Sequence, residues 1–369
     1  MSRTILTINP GSTSTKVVIF RDEQAIFDRE LLHPKAELAS FASVAAQLPL
    51  RNRALAEAMV EAQVEAQVEA GHEALALDAV VGRGGLLAPL PGGTYSINQR
   101  MLDDLREARF GEHACNLGAS MALEVGKSWD VPAYVVDPPV TDEMMAGARL
   151  TGLPQVRRRS IIHALSQRGA ARTAAARRGV DYAQGRFVVA HMGGGISIGA
   201  HCEGLVLDVI NALDGEGPMS PERCGALPVL EVLNLLDGGA FDTASLRRTV
   251  LREAGLFAHL GTNDFREVVA RVEAGDEHAR SVFQALAYAI AKHIASLMPA
   301  LAGGPLDAVV LTGGLARSQA LTAELTRLLS WAGPVEIVTG LEEMQVMAQG
   351  ALRVLEGQEE VREYQRLSR

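Results

Sequence analysis

Two short turns of small and polar residues are the first segments whose composition suits chemistry. Residues 9–16 read Asn-Pro-Gly-Ser-Thr-Ser-Thr-Lys, and residues 191–197 read His-Met-Gly-Gly-Gly-Ile-Ser. Each turn joins two strand-like runs, and such turns can offer backbone N–H groups and hydroxyls to phosphate oxygens. Neither has the spacing of a P-loop or of the dinucleotide-binding glycine fingerprint. The two turns therefore predict phosphate binding of a different kind.

The elements that must position these turns show an internal repeat. Residues 77–85 read Leu-Asp-Ala-Val-Val-Gly-Arg-Gly-Gly, and residues 306–314 read Leu-Asp-Ala-Val-Val-Leu-Thr-Gly-Gly, so seven of nine positions agree. Each copy has a β-branched run typical of a buried strand and ends in a glycine pair. A pattern of three strands joined by two turns precedes each copy, over residues 5–28 and 187–208. The matching order predicts two similar α/β halves.

Composition and charge restrict the class of protein. The chain has 369 residues, of which 48% are hydrophobic and 21% charged, and its formal net charge is -9. This is an ordinary globular composition, long enough for two domains, and an acidic balance does not support nucleic-acid binding. No run approaches the ~20 apolar residues of a membrane span, and the N-terminus lacks the form of a signal peptide. Three scattered cysteines do not form a disulfide framework. We therefore expect a cytoplasmic protein that binds neither nucleic acid nor membrane, with a charged tail from Gln358 that ends as a frayed helix.

Nine motifs, in order along nearly the whole chain, resemble those of the acetate kinase (acetokinase) family within the actin-like ATPase superfamily. They lie at residues 9–16, 81–85, 113–118, 136–139, around 163, and at 191–195, 220–225, 264–266 and 311–314. Within the family, the chain resembles butyrate kinases more closely than acetate kinases. The resemblance implies an α/β fold of two duplicated actin-like ATPase (ribonuclease H-like) domains around a central nucleotide cleft. We expect residues 1–139 and 343–369 to form the N-terminal domain, and residues 140–342 to form a C-terminal domain that carries the nucleotide and dimer contacts.

The resemblance also implies an activity. It is the reversible, direct in-line transfer of a phosphoryl group from ATP to a short-chain fatty acid, butyrate or isobutyrate, which yields ADP and the acyl phosphate. This transfer needs positioning and charge cancellation rather than covalent catalysis, and arginine pairs well with carboxylate and phosphate oxygens. The motifs assign Arg83 and Arg223 to the acid and the moving phosphoryl group. They assign His163 to electrostatic stabilisation of that group, without a phospho-histidine intermediate. The family further implies a homodimer or higher homo-oligomer.

Other positions take nucleotide, metal and acid roles by the same resemblance. The nucleotide positions are Ser12, Ser14, Lys16, His191, Gly193, Gly194, Gly195, Asp264, Phe265, Arg266, Gly313, Gly314 and Leu315. Mg²⁺ prefers oxygen ligands and keeps much of its water. The resemblance assigns it to Asn9, Asp137 and Glu342, with Glu343 as an alternative, and counts Asn9 and Asp137 among the catalytic residues. Since Asp137 precedes a proline, we expect it to leave its strand in an extended conformation. His113 and Gly85 join the two arginines at the acid.

Gly85 is an informative departure, because acetate kinases carry valine there. Loss of the side chain predicts room for a longer or branched acid. Because a buried methylene contributes only about 0.8 kcal/mol, the preference for chain length should be broad. Gly194 replaces an asparagine, and Ala316-Arg317 replace Gly-Glu after Leu315, so the detail of nucleotide contacts need not transfer.

Several alternatives remain open from the sequence. The acid could be a branched-chain fatty acid, acetate or propionate. A sugar kinase of the same superfamily would need a carboxylate base for the hydroxyl proton, whereas a carboxylate acceptor needs none. A non-catalytic, assembling actin-like protein would not require Asn9, Arg83, Asp137, His163 and Arg223.

Overall fold

A computed structural model describes residues 2–69, 74–301 and 303–366 of the chain. The chain divides into an N-terminal unit, Met1–Thr141 with Glu342–Arg369, and a C-terminal unit, Asp142–Leu341. The sequence predicts boundaries at 139/140 and 342/343. The structure instead has them at 141/142 and 341/342, which places Glu342 in the N-terminal unit.

Both units combine strands with helices. In chain order they are β1 (Thr4–Pro10), β2 (Ser14–Arg21), β3 (Gln24–Leu32), β4 (Ala79–Gly82), β5 (Thr94–Ser96), β6 (Ala133–Val136), β7 (Arg186–Met192), β8 (Ile196–Cys202), β9 (Leu205–Ile210), β10 (Ala308–Thr312), β11 (Val335–Val338) and β12 (Arg362–Glu363).

The helices lie between these strands. They are α1 (Lys35–Leu38), α2 (Leu48–Glu69), α3 (Gln99–Arg106), α4 (Gly118–Trp129), α5 (Ala164–Arg178), α6 (Val229–Asp237), α7 (Thr243–Arg252), α8 (Gly255–Leu260), α9 (Phe265–Glu273), α10 (Glu277–Ser296), α11 (Gln319–Leu329) and α12 (Glu343–Leu355). Short 3₁₀ turns occupy Ala45–Gln47, Ala114–Leu117, Gly147–Arg149, Met298–Leu301 and Gly314–Arg317. Among the helices of the described residues, none combines the length and apolar character that a membrane crossing requires.

The sheet of the N-terminal unit has the order β12-β5-β6-β4-β1-β2-β3. Strands β1, β2 and β3 form an antiparallel meander, while β4 pairs in parallel with both β1 and β6. Since β1, β4 and β6 run in the same direction, their carboxyl ends meet at one edge, where open α/β sheets bind ligands.

The C-terminal unit repeats this arrangement with the order β11-β10-β7-β8-β9. Strands β7, β8 and β9 form the second antiparallel meander, and β10 pairs in parallel with β7 and β11. Strand β10 therefore has the same place beside β7 that β4 has beside β1. The predicted repeat of meander, helices and buried strand is confirmed.

Each unit has its own apolar core. In the N-terminal unit, Ile8 and Ile19 of the meander pack in one cluster with Leu55 of α2 and Met121 of α4. The C-terminal core is built around α10, whose Ala287 and Ile290 are fully buried in one cluster with the apolar face of the sheet. Full burial of a side chain of isoleucine size contributes about 1.5–3 kcal/mol. These cores make the strand edges rigid supports for the loops that follow them.

As far as Arg366, the chain beyond Gln358 is not the predicted frayed helix, and residues 367–369 lie outside the described residues. It forms β12, which pairs in parallel with β5, and it then buries Tyr364 to 1% exposure. The Tyr364 hydroxyl donates to Asp104 over 2.9 Å, and Arg366 binds the same carboxylate. The tail is ordered because its tyrosine and arginine satisfy a buried carboxylate on α3, which no local pattern of charges could indicate.

Candidate active site

Three predicted residues lie at the carboxyl edge of the N-terminal sheet. Asn9 lies near the end of β1, Arg83 follows the last residue of β4, and Asp137 follows the last residue of β6. The Arg83 N–H donates to the Ile8 carbonyl over 2.8 Å, which extends the β1–β4 pairing by one residue. The sheet thus brings together residues that are far apart in the sequence.

Arg83 has a mostly buried guanidinium with one unsatisfied nitrogen. Its side chain is only 15% exposed, and Nη2 approaches Glu343 Oε1 at 3.4 Å. Nη1 is buried and has no hydrogen-bond partner within the described ranges. A buried donor left without a partner costs about 1–3 kcal/mol, so a carboxylate or phosphate oxygen at Nη1 would be strongly favoured. Of the two candidate glutamates, Glu343 contacts Arg83, whereas Glu342 is an exposed residue at the start of α12.

The glycines around Arg83 let neighbouring backbone approach closely. A Cβ at Gly82 would lie 2.1 Å from the Gly118 carbonyl oxygen, and one at Gly84 would lie 2.5 Å from Pro138 Cβ. A Cβ at Gly85 would lie 2.6 Å from Asn116 Cα and 2.6 Å from Leu105 Cδ2. The loop therefore holds Arg83 between two packed segments.

This packing corrects the interpretation of Gly85. The missing side chain does not open room for a longer acid, because Asn116 and Leu105 already fill that space. Asn116 is buried, accepts a hydrogen bond from the Leu86 N–H over 2.9 Å, and donates to the Gly111 carbonyl over 2.9 Å. The absence of a side chain at Gly85 leaves space for Asn116. Direct contact between Gly85 and the substrate stays a prediction.

Asp137 differs from its expected conformation. Its φ is 39°, in the left-handed region, so the predicted extended exit from β6 is wrong. Strain of this kind is concentrated at functional sites and costs of order 1–3 kcal/mol. The side chain is 1% exposed, and its Oδ1 accepts a hydrogen bond from the Gly93 N–H over 2.7 Å. A residue before proline normally prefers an extended backbone. Asp137 has a left-handed backbone instead, and its side chain is hydrogen-bonded to Gly93.

Magnesium binding at this edge is a prediction from the sequence. Among the described residues, no group of three or more His, Cys, Asp or Glu side chains is placed to enclose a metal. Mg²⁺ commonly takes one or two protein oxygens and completes its shell with water and nucleotide phosphates. The assignment of Asn9, Asp137 and Glu342 stays a prediction of that kind.

The turn between β1 and β2 is supported from below by Arg51. This arginine is fully buried on α2, and it donates to the carbonyls of Ser14 and Ser12 over 3.0 and 3.3 Å. Burial lowers the pKa of its guanidinium. Lys16, a predicted phosphate ligand, pairs with Asp28 of β3. The turn is held rigid, while the phosphate roles of Ser12, Ser14 and Lys16 remain predictions.

His113 begins the 3₁₀ turn that packs against the Arg83 loop. Its Nδ1 accepts from the Cys115 N–H over 3.2 Å and lies 3.0 Å from Cys115 Sγ. Burial raises the pKa of the Cys115 thiol to about 11, so this cysteine is not a nucleophile at neutral pH. The structure gives His113 a local structural contact and leaves its substrate role a prediction.

In the C-terminal unit, two predicted histidines lie face to face. His163 precedes α5, His191 lies near the end of β7, and their rings stack with centroids 4.0 Å apart and an interplanar angle of 17°. His163 Nδ1 lies 2.8 Å from Ser197 Oγ on β8. The sheet thus places His163 beside the glycine turn that follows β7.

Arg223 packs directly over that turn. A Cβ at Gly195 would lie 1.8 Å from Arg223 Nη1, so only glycine leaves space for the guanidinium. Nη1 donates to the Ala212 carbonyl over 3.0 Å, and burial lowers the pKa of the group. Ser220 bridges the two segments, because its Oγ donates to the Gly194 carbonyl over 2.7 Å and accepts from the Arg223 N–H over 3.2 Å.

Three predicted nucleotide segments line one cavity of about 800 Å³ in the C-terminal unit. They are the glycine turn after β7, the residues that begin α9 and the loop after β10, and they contribute Gly193, Gly194, Asp264, Phe265, Arg266, Gly314 and Leu315. Gly313 has φ 89°, and its Cβ would lie 2.5 Å from the Met192 carbonyl oxygen, so it holds the two loops together. At the start of α9, the hydrogen bonds from Arg266 lower the pKa of Asp264 to about 2.

A second cavity of about 440 Å³ adjoins Arg223 in the same unit. Its wall combines the arginine with aliphatic side chains, among them Leu227, Val232, Val250 and Leu251. A guanidinium beside aliphatic side chains suits a short aliphatic carboxylate, which needs a charge partner and an apolar surface.

Several supporting residues were given no role from the sequence, although Asn116 and Ser197 lie within the segments 113–118 and 191–197 quoted there. Besides Arg51 and Asn116, they are Gln167, Ser197 and His201, which are fully buried polar side chains behind His163. In the sequence, such residues appear only as polar positions within otherwise apolar strands and helices. That pattern does not show which residue each of them will hydrogen-bond.

Solved structures of acyl kinases share this fold. The chain superposes on acetate kinase from Porphyromonas gingivalis with a TM-score of 0.72 and 19% identity, over 96% of this chain and 100% of that one. A propionate kinase from Francisella tularensis gives a TM-score of 0.67 and 18% identity, over 94% and 98% of the two chains. The architecture is thus that of the acetate and propionate kinases, a two-unit α/β fold of the actin-like type.

Sequence relatives establish the family. The profile described as the acetokinase family matches residues 153–334. A probable butyrate kinase from Maridesulfovibrio salexigens is 49% identical over 369 residues, which cover 99% of each chain. One from Listeria monocytogenes is 43% identical over 364 residues, covering 99% of this chain and 100% of the relative. The chain belongs to the acetokinase family.

Proposed function

We propose that the protein transfers the γ-phosphoryl group of ATP to the carboxylate of a short-chain fatty acid, butyrate or isobutyrate, and that it also catalyses the reverse reaction. One observation carries the proposal. Three segments far apart in the sequence, at residues 193–194, 264–266 and 314–315, line a single cavity of about 800 Å³. A cavity of this size, with glycine turns and a helix start in its wall, suits a nucleotide.

The reaction needs no base on the acceptor. A carboxylate oxygen attacks the γ-phosphorus, the bond from that phosphorus to the bridging oxygen breaks, and ADP leaves with the bonding electrons. Fatty acids are already ionised at neutral pH, so no proton has to be removed. The work that remains is alignment and stabilisation of charge. A sugar kinase would require such a base, and the relatives described as probable butyrate kinases give that alternative less support.

The two arginines and His163 supply that charge stabilisation. Arg83 has a buried N–H without a hydrogen-bond partner in the described part of the chain, and Arg223 is held over the glycine turn. Both guanidiniums can bind oxygens of the acid or of the phosphoryl group. His163 donates a hydrogen bond to a phosphoryl oxygen, which matters most as charge develops on that oxygen.

The proposed reaction uses magnesium, which would bind to oxygen ligands at the carboxyl edge of the N-terminal sheet. Asn9 and Asp137, with Glu342 or Glu343, would hold it together with water and nucleotide oxygens. When bound, the ion neutralises phosphate charge. The chain's own residues set the position of these oxygens, since Asp137 is locked by its bond to Gly93.

The acid preference is proposed from the relatives and from the cavity beside Arg223. Relatives that are 43–50% identical to this chain are described as probable butyrate kinases. The aliphatic wall of the cavity of about 440 Å³ provides an apolar surface for a short hydrocarbon chain. The preference for chain length should be broad, since each buried methylene contributes only about 0.8 kcal/mol.

The test measures acyl phosphate formation with ATP, magnesium and hydroxylamine across acetate, propionate, butyrate, isobutyrate, valerate and isovalerate. We expect the highest kcat/KM with butyrate or isobutyrate. A maximum at acetate would contradict the proposed substrate, and no product with any acid would contradict the proposed reaction. Arg83→Gln and Arg223→Gln should each abolish most activity. The exposed Arg53 of α2 provides the matched control, as Arg53→Gln should not alter the rate.

We propose in addition that the protein works in the cytoplasm as a homodimer, with α6 at the dimer contact. Its three cysteines are free thiols, as a reducing compartment would maintain. No residue of α6 is buried, and Val229, Leu230 and Leu233 are 72%, 73% and 48% exposed. Such a contiguous apolar face favours a protein partner. Light scattering should give a dimer for the native chain and a monomer for Leu230→Glu, and a native monomer would refute this contact.

A further inference from the structure

A chain of buried hydrogen bonds runs through the C-terminal unit and ends at His163. Tyr182 Oη lies 3.0 Å from His201 Nδ1, and His201 Nε2 lies 3.2 Å from Gln167 Oε1. Gln167 Nε2 lies 2.9 Å from Ser197 Oγ, which lies 2.8 Å from His163 Nδ1. His201, Gln167 and Ser197 are each 0% exposed. Gln167 and His201 belong to no predicted motif, and Ser197 is the last residue of the turn at 191–197 that was predicted to bind phosphate. The buried network they form needs an explanation of its own.

The direction of each hydrogen bond follows from one fixed point. Gln167 Nε2 lies 3.1 Å from the Ser197 carbonyl oxygen, which can only accept, so this atom is the amide nitrogen. Its oxygen therefore faces His201, and His201 Nε2 must carry the proton that binds it. His201 Nδ1 then accepts from the Tyr182 hydroxyl. Burial, with the charges of Arg168 and Arg172, lowers the pKa of His201 to about 3, which leaves the ring neutral with one N–H.

The same reasoning assigns the proton on Ser197. Its Oγ accepts from Gln167 Nε2 over 2.9 Å and from the His163 backbone N–H over 3.4 Å. A hydroxyl oxygen has two lone pairs and one proton. Both lone pairs are used, so the proton is directed to His163 Nδ1. An N–H at that nitrogen would be a third donor facing a saturated oxygen.

We propose that Gln167, Ser197 and His201 are positioning residues that hold His163 in the tautomer with its proton on Nε2. The proposal rests on the proposed role of His163 at the phosphoryl group. A histidine can donate from Nε2 only if Nδ1 is the acceptor, and the partner of one ring nitrogen decides which form is present. The relay thereby selects a hydrogen-bond donor, oriented before substrate arrives, and excludes the tautomer that would present a lone pair to an anionic oxygen.

Gly199 on β8 makes the relay possible. A Cβ at this position would lie 2.5 Å from Gln167 Oε1 and 3.1 Å from His201 Nε2. The missing side chain leaves the space in which the amide and the imidazole meet. The relay thus uses a residue on α5, two on β8 and one before β7, all anchored in the buried part of one unit.

The test reads the tautomer directly and does not depend on activity. The full-length protein is labelled with ¹⁵N-histidine, and long-range ¹H–¹⁵N correlation spectra separate protonated from unprotonated ring nitrogens. The signals are assigned by their loss in His163→Gln and His201→Gln. We expect both rings to carry the proton on Nε2 in the native protein. A proton on Nδ1 of His163 would overturn the proposal, whatever the enzyme's rate.

Two variants then test the coupling. Ser197→Ala should move His163 to a mixture of tautomers and lower kcat about two- to tenfold, the value of one hydrogen bond, with KM for ATP unchanged. Tyr182→Phe removes only a hydroxyl and should alter the His201 signal without changing which of its nitrogens is protonated. Thr173→Ala is the matched control on α5, because its hydroxyl donates to the Gly169 carbonyl of its own helix and makes no contact with the relay.

The outcomes separate the two proposals. If Ser197→Ala changes neither the His163 tautomer nor kcat, the relay has no positioning role. If His163→Gln keeps full activity while the native tautomer is as expected, the phosphoryl role of His163 fails and the relay remains as structure. If Ser197→Ala does not fold, the native spectrum still tests the proposal, because a proton on Nδ1 of His163 would overturn it.

Discussion

The substitution Gly85→Ala distinguishes between two roles for the glycine loop. If Gly85 leaves space for the acyl chain, alanine should shift the preference towards shorter acids and leave stability unchanged. If Gly85 leaves space for Asn116, alanine should destabilise the N-terminal unit and lower kcat for every acid alike. The structure supports the second role, because the new Cβ would lie 2.6 Å from Asn116 Cα, Asn116 Oδ1 and Leu105 Cδ2.

The magnitude follows from this geometry. Carbon atoms in contact are normally separated by nearly 4 Å, so the neighbours would have to move by roughly 1 Å. Asn116 cannot easily move, since two hydrogen bonds of 2.9 Å hold it between Leu86 and Gly111. Overpacking of this kind costs about 1–3 kcal/mol. For a unit of this size, that lowers the Tm by about 2–12 °C.

The assay combines thermal unfolding with kcat/KM for acetate and butyrate. Gly152→Ala serves as the control, because a Cβ there meets nothing within 4 Å and it should change neither quantity. An unchanged Tm together with a selective loss of butyrate activity would refute the packing argument and restore the interpretation that Gly85 shapes the acyl pocket.

Three further changes test other parts of the structure. Gly195→Ala should lower kcat about a hundredfold or more in steady-state assays, because its Cβ would lie 1.8 Å from Arg223 Nη1 and displace a charge-stabilising group; a loss below about threefold would contradict this contact. Tyr364→Phe should lower the free energy of unfolding in urea by about 1–3 kcal/mol with kcat unchanged, because it removes a donor to the buried Asp104; an unchanged midpoint would show that this hydrogen bond contributes nothing to stability. Burial raises the pKa of Asp104, but the bonds from Arg366 and Tyr364 outweigh it and the net shift is downward. The stability from this site is therefore present above pH ~4 and lost as pH falls through the lowered value, so Asp104→Asn should weaken the decline in urea midpoint from about pH 6 to about pH 3, and an equally steep decline in the variant would exclude this carboxylate as its cause.

Much of the fold could be predicted because its signals are local. Runs of β-branched residues followed by glycine pairs identified β4 and β10, and small-residue turns identified the two meanders. The order of these elements then limited the topology, since strands of this kind pair in parallel through helical crossovers. The family motifs added site residues at the ends of these strands.

The supporting residues could not be predicted, because their partners are distant in the sequence. Arg51 and Arg53 lie two residues apart on the same polar stretch of α2, yet Arg51 is fully buried beneath the β1–β2 turn and Arg53 is exposed. Asp137 has a left-handed backbone despite the proline that follows it. In each case, a tertiary hydrogen bond outweighs a local preference.

The two glycine pairs show most clearly where a repeat in sequence stops implying a repeat in function. Gly84 and Gly85 are both enclosed, by Pro138 and by Asn116, so this pair clamps the loop on which Arg83 is presented. In the second pair, Gly313 is packed against Met192 with φ 89°, while a Cβ at Gly314 would meet nothing within 4 Å and the residue lines the cavity of about 800 Å³. The same dipeptide after the same strand thus holds an arginine rigid in one unit and leaves an open wall for a ligand in the other. Duplication explains why both units end their strands in glycine, but the neighbours of each Cβ position decide what that glycine does.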